Sequence, residues 1–131
     1  MDFGLLGVSK RKDFERAVDQ DRARYISQSG SLTQRGKKII QDPSWKEDPA
    51  LSDTFSAMTK NKIYGIFYHR TEYWEQGSEQ EQIMRQRAEV VANAYDVWAS
   101  GYKPLLQQYR NLFPALAVLF DNLFGTAYII Q

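Results

Sequence analysis

Between positions 49 and 76, apolar residues return mostly at three- and four-residue steps: Leu51, Phe55, Met58, Ile63, Ile66, Phe67, Tyr73 and Trp74. That spacing is the stripe of an amphipathic helix. It predicts a helix over 49–76, roughly 40 Å long at 1.5 Å per residue. Asp48 stands where an N-cap belongs, with Pro49 at the first helical position. Gly77 is suited to the left-handed residue that ends a helix. Ser78-Glu79-Gln80-Glu81 then has the form of a capping box, and its acids suit the positive end of a helix dipole. The helix it opens, 79–100, carries Met84, Ala88, Val91, Tyr95 and Trp98 at steps of four and three, like a coiled-coil seam. Ile83, Val90, Ala94 and Val97 widen that stripe, and Gly101 closes it. Only Gly77 and Ser78 separate the two helices. So short a link makes them a long antiparallel αα-hairpin.

The flanking segments are also helical in pattern. Ser9 is placed to cap a helix over 10–28, with Phe14, Ala17, Val18, Ala23, Tyr25 and Ile26 as its apolar members and Gly30 ending it. Ser31-Leu32-Thr33-Gln34 reads as another capping box, opening a short helix over 32–41 that Gly36 weakens. Asp42-Pro43 breaks the chain, and Trp45 in the following loop reads as an anchor on the body of the domain. Lys103-Pro104 starts a helix with Leu105, Leu106, Tyr109, Leu112 and Phe113 apolar, and Pro114 restarts it. The run 115–124 is nearly all apolar and Gly125 ends it. The expectation is an all-α protein: a helical bundle of four to five helices built around the 49–76 and 79–100 hairpin. Residues 1–131 form one domain, with 1–8 an apolar N-terminal arm and 126–131 an apolar C-terminal tail.

Composition narrows the chemistry. The 131 residues are 43% hydrophobic and 25% charged, ordinary for a globular chain. There is no cysteine, which removes disulfides, thiolate nucleophiles and Cys-based metal sites together. The net charge is only +1, but it is unevenly spread. Residues 9–40 hold nine bases and four acids; residues 42–81 hold eight acids and four bases. A molecule polarised in this way is suited to head-to-tail association or to docking on a charged partner. The N-terminus lacks the form of a signal peptide, with Asp2 early and the bases after the apolar patch, so an intracellular location is expected.

Catalytic signatures are weak. No Gly-x-Ser-x-Gly elbow, P-loop or dinucleotide fingerprint occurs, and the expectation is a protein that is not an enzyme and uses no cofactor. His69 and Glu72 have the i, i+3 spacing of half a carboxylate-bridged metal site. A full site needs a second histidine, and the chain has one, so no metal is expected. The C-terminal run 112–130 has 14 apolar residues of 19. Asp121 and Asn122 fall at its centre, where a charge costs about 2.5–3.5 kcal/mol. It reads as core or as an interface, and membrane association is disfavoured.

Two sets of binding residues remain. Phe3, Leu5 and Leu6 of the arm, Tyr64, Tyr68 and Trp74 of the hairpin, and Tyr128, Ile129 and Ile130 of the tail are candidate protein contacts, since aromatic side chains dominate interface hot spots. Lys10, Arg11, Lys12, Arg35, Lys37 and Lys38 are candidate phosphate contacts, opposed by the interleaved acids Asp13, Glu15, Asp19 and Asp21. The expected function is a non-catalytic structural or interaction protein, a subunit or adaptor of a larger assembly or a homo-oligomer. The alternatives are a small subunit of a nucleoprotein complex and a membrane-surface protein. Other protein subunits or self are the expected partners. Nucleic acid is not favoured, and no small-molecule substrate is evident.

Overall fold

A computed structural model describes residues 7–125. Among them stand seven α-helices and no strand: α1 (Lys12–Ala23), α2 (Gln34–Gln41), α3 (Pro49–Thr59), α4 (Thr71–Glu75), α5 (Glu79–Ser100), α6 (Lys103–Leu112) and α7 (Pro114–Phe120). A π-helical turn, Asp121–Gly125, follows α7. The chain is therefore all-α.

The local start signals act as their chemistry dictates at two helices. Asp48 Oδ1 accepts from the backbone N–H of Ala50 (2.9 Å) and Leu51 (3.1 Å), capping α3. Ser78 and Glu81 close a reciprocal capping box on α5, and Gly101 ends it in the left-handed region at φ 64°. Elsewhere the cap shifts. The helix expected from residue 10 begins at Lys12, with Arg11 at its N-cap and no side-chain cap bond. Thr33, not Ser31, caps α2: its Oγ1 accepts from Gly36 N (3.0 Å) while donating to Arg24 O (2.6 Å). Gly36 is buried against the start of that helix. A Cβ there would collide with the Tyr25 carbonyl, so the glycine is what lets α2 sit on the end of α1.

The largest departure lies in the expected 49–76 helix. It stops at Thr59, because Lys60 (φ 49°) and Asn61 (φ 68°) take the left-handed conformation. Asparagine adopts that conformation more readily than most residues. Tertiary contacts then hold the break. Asn61 Oδ1 accepts from Trp74 Nε1 (3.1 Å) and from Ser56 Oγ. Its Nδ2 donates to His69 O (2.5 Å). The hairpin of two long helices is thus replaced by α3, an irregular segment over 60–70, the short α4, and α5. α3 and α5 still pack on one another, and Gln86 Nε2 donates to Ala57 O across them (2.7 Å).

The core is an aromatic chain. Trp45, Phe55, Tyr25, Phe113, Tyr109 and Trp98 lie in successive ring contacts of 4.6–6.5 Å, mostly edge to face. Such pairs add about 0.5–1.5 kcal/mol each beyond burial. Trp45 is the anchor its loop position suggests, donating from Nε1 to Ile39 O (2.9 Å). On α5 the buried face is Val90, Val91, Ala94, Val97 and Trp98; Met84 and Tyr95, assigned to its seam, are exposed. The described part of the C-terminal run supplies Leu112, Phe113, Leu116, Ala117 and Phe120 to the core. No helix among the described residues is long and apolar enough to cross a membrane.

Candidate functional site

Ile66 and Phe67, which the helical stripe places inside, are exposed, Ile66 to 62%, and the candidate contact residues Tyr64 and Tyr68 are exposed beside them in the chain. The rings of Tyr64 and Tyr68 meet at 4.3 Å. The reason is the break at Asn61: once the helix ends, the three- and four-residue spacing no longer places these residues on one buried face. Within this stretch Ile63 and Gly65 stay buried.

The backbone beneath these side chains is clamped. Ile66 N donates to Lys46 O (3.0 Å), and Ser52 Oγ donates to the same carbonyl (2.7 Å). Gly65 sits so close that a Cβ would collide with Ser52 Oγ and Lys46 O. One end of the segment is held by Asn61, whose amide donates to His69 O, and by Thr59, whose Oγ1 accepts from Ile63 N (3.0 Å). Four apolar side chains are therefore displayed on a fixed frame.

Trp74, expected as a contact residue, is fully buried and belongs to the core. Its Nε1–H lies 3.1 Å from both Ser56 Oγ and Asn61 Oδ1, so it pins α4 to the broken end of α3. His69 precedes α4 and so does not share a helical face with Glu72. It stacks on Tyr73 at 4.0 Å and reaches Glu89 Oε1 at 3.7 Å. Tyr73 donates its hydroxyl to the same Glu89 oxygen (3.1 Å). Burial raises the Asp53 carboxyl above the ordinary range; the nearby His69 opposes this and Glu89 adds to it. Among the described residues no group of three or more His, Asp or Glu is arranged to hold a metal ion.

The basic residues fall into two separate places. Lys10, Arg11 and Lys12 are exposed around the start of α1. Arg11 is engaged by Asp13 (Nη2–Oδ2 2.6 Å), which holds that carboxyl below its usual range. Arg35, Lys37 and Lys38 are exposed on α2, a helix with no acid in it. Two of the four interleaved acids of α1 are engaged by other elements. Glu15 pairs with Arg87 of α5 (3.0 Å), and Asp21 is buried against the start of α7. Phe3, Leu5, Leu6, Tyr128, Ile129 and Ile130, with most of the arm and the whole tail, lie outside the described residues. The sequence spacing puts Ile66 and Phe67 on the buried stripe and not among the candidate contacts, although Asn61 and Gly65 were the available signals of a break.

No protein-family model, curated protein or solved structure matches the chain.

Proposed function

We propose that this chain is a non-catalytic helical interaction protein, a subunit or adaptor of a protein assembly, and that its first partner is a second copy of itself. The observation that carries the reading is the set of exposed apolar side chains at 64–68 on a clamped backbone. A contiguous exposed apolar patch marks a contact surface. Removing it from water gains about 25 cal/mol per Å². A frame already fixed keeps the ordering cost of binding small.

The charge distribution supports a second copy as the occupant. Residues 9–40 are net basic and residues 42–81, which include the patch, are net acidic. Each copy therefore carries both halves of a complementary pair, which favours oriented encounter. Light scattering after size exclusion, at low and high salt, tests this. A defined oligomer that loosens in salt is expected. A monomer at every concentration overturns self-association.

A further inference from the structure

Arg24, Thr33, Gln34, Arg35 and Lys38 line a surface cavity of about 350 Å³ where the end of α1 meets the start of α2. Three of the five are cations and none is an acid. Among the described residues, none of the three pairs with a carboxylate within 4.0 Å. The Nε of Arg24 is buried without a hydrogen-bond partner. Of the acids that sequence spacing set against these bases, Asp13 pairs with Arg11 and Glu15 with Arg87, while Asp21 is hydrogen-bonded to the start of α7 and reaches Arg24 only through its charge.

The cluster is held in place. Thr33 N donates to Tyr25 O (2.9 Å), Thr33 Oγ1 donates to Arg24 O (2.6 Å), and Ile26 and Leu32 form a β-bridge. Gly36 allows α2 to rest on the Tyr25 carbonyl. Arg24 is thereby fixed beside Arg35 and Lys38 across a tight turn. Holding three like charges together costs free energy unless an anion offsets it. Arginine forks are matched to tetrahedral oxyanions.

We propose that this cavity is a phosphate site, with the guanidinium groups of Arg24 and Arg35 and the ammonium of Lys38 as its donors. The group it takes is a phosphate, either of a small phosphorylated molecule or of a polynucleotide backbone.

Calorimetry with inorganic phosphate, pyrophosphate and a single-stranded oligonucleotide tests the assignment on the whole chain. The variants are Arg35→Ala, Lys38→Ala and, as a control on the same helix outside the cavity, Lys37→Ala. All three positions are exposed, and circular dichroism checks that each variant is folded. Saturable binding that weakens about tenfold in Arg35→Ala and in Lys38→Ala, but stays unchanged in Lys37→Ala, is the expected result. Competition identifies the source. Displacement of the oligonucleotide by pyrophosphate points to a backbone phosphate; pyrophosphate binding without oligonucleotide binding points to a small ligand. Two results overturn the site: no saturable binding of any probe, or equal weakening by all three substitutions, which marks a diffuse basic surface.

Discussion

Asp21 Oδ2 accepts a 2.7 Å hydrogen bond from the backbone N–H of Leu116, 95 residues away. Its other oxygen accepts from Ala115 N at 3.0 Å. A buried carboxylate on α1 thus serves as the missing cap of α7, whose own N-cap position is Phe113, without a side-chain bond. The next residue, Arg22, donates from Nε to Met58 O at the end of α3 (3.1 Å). Adjacent side chains on one helix therefore satisfy a start and an end of two others, as the orphan groups at helix termini require.

Replacing Asp21 tests that arrangement. Asp21→Ala leaves two N–H groups without their acceptor and is expected to cost about 1–3 kcal/mol. Asp21→Asn keeps one carbonyl oxygen and is expected to cost less. Burial raises the Asp21 carboxyl above its ordinary 3.8, against the opposing pull of the Leu116 and Ala115 amides and of Arg24. With the folded value raised, the linked stability is present below the ordinary value and is lost as pH rises through the folded one. The stability difference between wild type and Asp21→Asn should therefore narrow as pH rises from about 4. Urea titrations across that window read it.

Tyr25 gives a second window. Its hydroxyl donates to Leu112 O at 2.5 Å, and burial pushes it up to about 12. The stability tied to the protonated hydroxyl is full below the ordinary value of 10.0 and is lost as pH rises through about 12. Tyr25→Phe removes the bond and should cost about 1 kcal/mol near neutral pH. It should also lose less stability than wild type on the alkaline side. Denaturant midpoints measured on both proteins up that limb check the sign.

Gly65 sets the frame of the exposed patch. Gly65→Ala forces a methyl into Ser52 Oγ and the Lys46 carbonyl, and overpacking of this kind costs about 1–3 kcal/mol. Adding Ser52→Ala removes only the side-chain collision, so the double variant should recover part of the loss. Full recovery would mean that the Lys46 carbonyl yields freely.

What the sequence could and could not reveal follows the range of each interaction. Asp48, Ser78 with Glu81, and Gly101 act on neighbours within four positions, so their capping roles are legible in the residues alone. Asp21 is not legible in this way, because its partners are 94 and 95 positions away. The break at Asn61 was hidden for a related reason. The apolar spacing slips by a single position there, five residues from Met58 to Ile63, and then resumes, while the groups that hold the turn come from Ser56, Trp74 and the His69 carbonyl. The unbroken helix places Ile66 and Phe67 in the core through that one error, while Trp74, on the same stripe, is a candidate contact only for its aromatic ring. The expected all-α class survives it because the pattern outside 60–70 stays helical.

Sedimentation equilibrium over a wide concentration range, on wild type and on the Ile66→Ser/Phe67→Ser double variant, tests the central proposal most directly. Both side chains are exposed, so folding stability should change by no more than about 0.5 kcal/mol. The account predicts that wild type associates into a defined oligomer and that the variant sediments as a folded monomer. A wild type that stays monomeric throughout, or a variant that associates as well as wild type, would contradict it.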